Sequence, residues 1–158
     1  WECALRYLNT PSLICLTRQN VPIIPRNRVA KNLVESGAYI ASEAENKRKV
    51  IIIATGSEVN IALDAKKCLE DEGIGTRVVS MPCSERFDEQ ADEYKASVLG
   101  NGIKRVAIEA SHVDWWRKYV GLEGEVIGMT SFGESAPGND LFEHFGFTKE
   151  KIIKTLGL

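Results

Sequence analysis

Arg18 has the type and setting that point most directly to chemistry with a ligand. It stands in the polar run Thr17-Arg18-Gln19-Asn20, directly after the apolar stretch that begins at Ser12. A buried strand over Ser12–Thr17 would deliver it to a sheet edge. Its guanidinium is planar and always charged, and can hold a phosphate through two parallel N–H donors. From spacing alone a surface ion pair is the ordinary use, and a phosphate grip is the sharper alternative.

The other constellations read as structural. Thr55-Gly56-Ser57-Glu58 lies between an apolar strand and a helix, where open α/β sheets often bind ligands. It has one glycine where a dinucleotide turn needs several, and Glu58 would repel phosphate while favouring the helix dipole. A capped turn is therefore expected, with an anion or effector site as the alternative. Glu109, Ser111 and His112 bring a carboxylate, a hydroxyl and an imidazole beyond a strand end, but no nucleophile elbow accompanies them. Ser111 reads as a helix cap and His112 as a surface or interface residue. Gly133-Glu134-Ser135-Ala136-Pro137 lacks the second glycine of a serine-enzyme motif, and Ser135 with Pro137 reads as a helix start. The acids Asp88, Glu89, Asp92 and Glu93 read as a solvated face. Cys3, Cys15, Cys68 and Cys83 have no Cys-x-x-Cys spacing and only two histidines to join them, so neither a zinc site nor a disulfide framework is expected. Cys15 and Cys68 read as small apolar packing residues, and such scattered cysteines fit a reducing compartment.

The elements that must position these residues alternate. Strands are expected over 38–41, 50–54, 76–80, 105–109 and 125–128, and a helix over 58–71, ended by Gly73. The β-branched run Val50 to Ile53 implies burial on both faces. Strands alternating with helices give an α/β fold, a three-layer α/β/α arrangement around a five-stranded, mostly parallel sheet. Pro22, Pro25, Arg26 and Arg28 favour an extended linker, which divides the chain into 1–28, the end of one domain, and 29–158, a complete one. Trp115, Trp116 and Tyr119 exceed what a small core needs, so part of that surface is expected to meet another domain or subunit.

The chain has 158 residues, 44% of them hydrophobic, enough for one core. The net charge of −2, with signs interspersed, argues against nucleic acid and anionic lipid as partners. No apolar run approaches the roughly 20 residues that span a bilayer. The start at Trp1 without a Met is expected of a piece of something longer.

One stretch is more particular than packing requires: GMTSFGESAP from Gly128 to Pro137, followed by FEHFGFT from Phe142 to Thr148. With LTRQNVP (Leu16 to Pro22), ATGSEV (Ala54 to Val59), VVSMPCSERFDEQ (Val78 to Gln90) and KYVGL (Lys118 to Leu122), it resembles the C-terminal end of transketolase, in order along nearly the whole chain. The resemblance implies a parent enzyme of the pentose phosphate pathway that moves a two-carbon ketol unit from a ketose phosphate to an aldose phosphate, using thiamine diphosphate and a divalent metal such as Mg or Ca. It implies a cytoplasmic homodimer with active sites between subunits. It also makes residues 1–28 the end of the pyrimidine-binding domain and 29–158 the C-terminal domain, whose first sheet strand is antiparallel. Arg18 matches the arginine that grips the sugar phosphate. The resemblance places the catalytic, cofactor-binding and metal-binding residues upstream of residue 1, so the chain alone is expected to be inactive, with a structural, dimerisation or regulatory role.

Ser111 to Trp116, Cys83 and Glu85 depart from the family pattern. A dihydroxyacetone synthase would share this tail. Deoxyxylulose phosphate synthase and 2-oxoacid dehydrogenase subunits share the domain but resemble LTRQN and GMTSFGESAP less closely, and a non-catalytic α/β module is the remaining alternative.

Overall fold

The computed structural model describes residues 1–24 and 32–157; the boundary expected at 28/29 lies outside them. Five strands form one sheet: β1 (Tyr39–Ser42), β2 (Arg48–Ala54), β3 (Gly75–Ser80), β4 (Lys104–His112) and β5 (Glu125–Met129). Their order is β1-β3-β2-β4-β5. The edge strand β1 runs antiparallel to β3, and the other pairings are parallel. Seven α-helices accompany the sheet among the described residues: α1 (Glu2–Arg6), α2 (Glu58–Asp71), α3 (Ser84–Asp88), α4 (Asp92–Leu99), α5 (Arg117–Val120), α6 (Gly138–Phe145) and α7 (Lys149–Leu156), with short 3-10 helices at Leu33–Ser36 and Val113–Trp116.

The two-residue period of β2 divides the core. Val50, Ile52 and Ala54 pack with Val59, Ala62 and Leu69 of α2 and with Ile152 and Leu156 of α7. Ile51 and Ile53 point the other way, into Phe87, Val98, Leu99, Trp116 and Tyr119. Every apolar residue of the strand is therefore buried, as the continuous β-branched run predicts. This is the expected three-layer α/β/α architecture, and the strands fall where the sequence places them, within three residues at each end.

Charged side chains hold the ends of these elements. Glu70, near the end of α2, accepts hydrogen bonds from the amides of Thr76 (2.7 Å), Glu45 (3.0 Å) and Asn46 (3.0 Å) and from Asn46 Nδ2 (2.8 Å). It thus ties the β1–β2 loop to the start of β3. Burial pushes its carboxyl up, but these donors outweigh burial and hold it at about 2. Arg77, buried on β3, donates to both oxygens of Glu43 (3.0 and 2.6 Å) and to the carbonyls of Ser97 and Val98 at the end of α4. Those carbonyls lack helical partners, so a fixed cationic fork is a suitable cap.

Residues 11–17 differ from the expectation of a buried strand. They belong to no sheet and no helix, and Leu13 and Leu16 are 89% and 77% exposed. A strand is held by the amides and carbonyls of a neighbour, and among the described residues no strand lies beside this one. Cys15 is exposed with its segment, so its expected packing role is also corrected, whereas Cys68 is partly buried.

Candidate functional site

The carboxyl ends of β2, β3 and β4 open onto a groove, and residues 10–17 with Gln19 form its opposite wall. On the domain side lie Thr55 to Glu58, Pro82, Cys83, Arg86, Glu109 and Ala110. Parallel strands deliver their loops to one edge, so the topology alone brings these separated residues together.

Glu58 is the first residue of α2 and is only 4% exposed. Its Oε1 accepts from the Ala110 amide (3.1 Å) and its Oε2 from Ser57 Oγ (2.9 Å). The Thr55–Ser57 turn is closed by the Glu58 amide donating to the Thr55 carbonyl (3.2 Å), with Gly56 at a φ of 56°. The expected turn is present, although no side chain caps the helix and Glu58 instead reaches across to β4.

Glu109 lies beside this carboxylate, with its Oε2 buried and without a hydrogen-bond partner among the described residues. Burial, and then the charge of Glu58, push the Glu109 carboxyl up to about 8, so at neutral pH it retains a proton and can donate a hydrogen bond into the groove. Because this folded value lies above the ordinary carboxyl value of 4.5, the native state holds a proton that the unfolded chain releases, and stability falls as pH rises from about 4.5 to about 8. Glu70 and Glu43 act with the opposite sign: both are lowered to about 2, so their contribution is present above 4.5 and lost as pH falls towards 2. Urea midpoints measured across this range are expected to decline on both sides of pH 4.5. Glu109→Gln is expected to flatten the alkaline limb only, and an unchanged alkaline limb would contradict the burial of this proton.

The triad-like group separates. Ser111 lies within β4 and accepts from Trp116 Nε1 (3.2 Å), so it is not the expected helix cap; that role falls to His112 Nδ1, which accepts from the Asp114 amide (3.4 Å). His112 is exposed, as expected. Ser135 is an exposed loop residue just before α6 and makes no capping bond to it. Asp88 is more than a solvated acid, because it accepts from Lys118 Nζ (2.6 Å) and Tyr119 Oη (3.0 Å) and so ties α3 to α5. Trp116 and Tyr119 are buried, and only Trp115, 51% exposed, remains on the aromatic surface.

Arg18 is exposed at a bend of the chain, between Thr17 and Gln19, which line the groove. The sequence missed Glu109 as an acid that keeps its proton, because β4 reads as an ordinary strand end. Its signal was a carboxylate directly after the apolar run Val106 to Ile108, opposite the Glu58 turn. Among the described residues no group of three or more His, Cys, Asp or Glu is placed to hold a metal ion, and no helix is long and apolar enough to cross a membrane.

A mixed five-stranded sheet covered on both faces, with a groove at the strand ends and an N-terminal segment across it, defines an α/β domain. The profile of the transketolase-like TK C-terminal domain matches residues 37–148, and the chain belongs to that family. The chain is 52% identical to a transketolase of Aquifex aeolicus over 154 residues, 96% of this chain and 22% of the relative. A transketolase of Staphylococcus epidermidis is 48% identical over 98% of this chain and 24% of its own length. The chain therefore spans about a quarter or less of these curated relatives. Among solved structures, a Pichia stipitis transketolase in complex with sedoheptulose-7-phosphate superposes with a TM-score of 0.75 and 36% identity, over 89% of this chain and 20% of that one.

Proposed function

We propose that this chain is the C-terminal part of a transketolase, which transfers a two-carbon ketol unit from a ketose phosphate to an aldose phosphate in the pentose phosphate pathway. The observation that carries the reading is 52% identity to a transketolase over 96% of the chain, with Thr17-Arg18-Gln19-Asn20 included in the span of similarity. In this reading residues 1–28 end the pyrimidine-binding domain and 29–158 form the C-terminal domain. The parent is a cytoplasmic homodimer that takes thiamine diphosphate and a divalent metal.

Thiamine diphosphate supplies the carbanion chemistry when bound. The described residues do not offer a metal cluster for it, so no step through the cofactor is assigned to them. What this chain contributes is binding: Arg18, exposed and always charged, holds the phosphate of the sugar, while the domain beneath fixes the segment that carries it. The domain itself serves a structural role, with dimerisation or regulation as further uses.

The intact protein is expected to catalyse ketol transfer between a ketose phosphate and an aldose phosphate, dependent on thiamine diphosphate and a divalent metal. The isolated 158-residue chain is expected to give neither transfer nor saturable binding in calorimetry with cofactor and Mg²⁺. Saturable micromolar binding by the chain alone, or an intact protein without transfer, would overturn the reading.

A further inference from the structure

Gly138, the first residue of α6, does not need to be glycine for backbone reasons, because its φ is not in the left-handed region. A helix interior or first turn favours Ala over Gly by up to about 1 kcal/mol. The space left by its missing side chain has an occupant: a Cβ there would lie 3.3 Å from Gln19 Nε2, 3.5 Å from Gln19 Cγ and 3.7 Å from Gln19 Cδ. Gln19 is half-buried, whereas Thr17, Arg18 and Asn20 around it are exposed.

The same residue closes a small ring around Arg18. The Gln19 amide donates to Thr17 Oγ1 (3.2 Å), and the Thr17 hydroxyl donates to the Gln19 side-chain oxygen. The two neighbours of Arg18 are thus bonded to each other, and one of them is seated on α6. That helix is itself fixed, since Phe142 and Phe145 pack against the core and Phe142 meets Phe147 with ring centroids 5.7 Å apart.

We propose that Gln19 is a positioning residue for the phosphate subsite: seated on Gly138 and bonded to Thr17, it sets the direction in which Arg18 presents its guanidinium. The C-terminal domain thereby shapes substrate recognition through a packing contact without touching the substrate. This deepens the assignment of Arg18 to the sugar phosphate and rests on it. A side chain that only supported the fold would affect all donors alike, whereas one that aims Arg18 acts on the phosphate.

The test is steady-state kinetics of the intact enzyme with a phosphorylated ketose donor and with hydroxypyruvate, which has no phosphate. Gln19→Ala is expected to raise the KM for the phosphorylated donor about two- to tenfold, the size of one or two hydrogen bonds, with a smaller effect on kcat and on hydroxypyruvate. Gly138→Ala is expected to raise the same KM while leaving the melting temperature equal or higher, an opposition that a merely structural role would not produce. Adding Gln19→Ala to Arg18→Ala is expected to cost little more than Arg18→Ala alone. If Arg18→Ala discriminates between the donors but the Gln19 and Gly138 variants do not, the positioning role fails and the phosphate assignment stands. If Arg18→Ala itself does not discriminate, both fail.

Discussion

Gly37→Ala is expected to destabilise the domain by about 2 to 5 kcal/mol, the sum of a left-handed backbone penalty and overpacking against fixed neighbours. Gly37 has a φ of 80°, and a Cβ added there would stand 2.2 Å from the amide nitrogen of Phe87 and 2.4 Å from the carbonyl oxygen of Cys83. Both contacts are backbone, so no side chain can swing aside. The approach is close because the Cys83 amide donates to the Gly37 carbonyl (3.0 Å), which pins the entry to β1 against the loop after β3. Phe87 is fully buried at the centre of one core layer, and movement there would disturb Tyr94 and Tyr119, whose rings lie 6.3 and 6.2 Å from it. Gly73 is the control. Its φ of 76° is nearly the same, but nothing lies within 4 Å of an added Cβ, so Gly73→Ala is expected to cost only the backbone part, about 1 to 2 kcal/mol. Urea denaturation of the two variants separates the contributions, and equal losses would show that the crowding at Gly37 relaxes freely.

The architecture is legible in the sequence because its signals are local. The short, β-branched run Val50 to Ile53 favours a strand buried on both faces, and Val59, Ala62 and Leu69 share one side of a helix. The helix over Glu58–Asp71 has the expected bounds. The failures have a different cause. Leu13 to Leu16 carries strand composition, but a strand exists only beside a partner, and composition does not say whether the partner is in the same chain. Glu58 and Glu109 are 51 positions apart in a sequence where each has an ordinary local use; the parallel pairing of β2 with β4 places them together. Glu70 reads as one more surface acid of α2 until the amides of Asn46 and Thr76 arrive from two other segments. Arg18 and Gln19 show both sides of this. The motif singles out the arginine as a candidate phosphate ligand, while the seat of its neighbour on Gly138 depends on contact between segments separated by more than a hundred residues.

The grip of Arg18 on the sugar phosphate is the claim on which the functional reading turns, and it carries the second large expected effect. A charge-assisted contact of this kind is worth about 1.5 to 3 kcal/mol, or roughly ten- to a hundredfold in affinity. Nothing in its placement requires Arg18 for stability, since it is exposed on a segment outside the sheet. Removal should therefore affect recognition and leave the fold intact. The decisive measurement is the ratio of KM values for a phosphorylated ketose and for hydroxypyruvate in the intact enzyme, before and after Arg18→Ala. The expected result is a KM raised about ten- to a hundredfold for the phosphorylated donor, with turnover at saturation and the hydroxypyruvate KM much less affected. Equal losses on the two donors would contradict the assignment and make Arg18 a support for the fold or for the cofactor pocket.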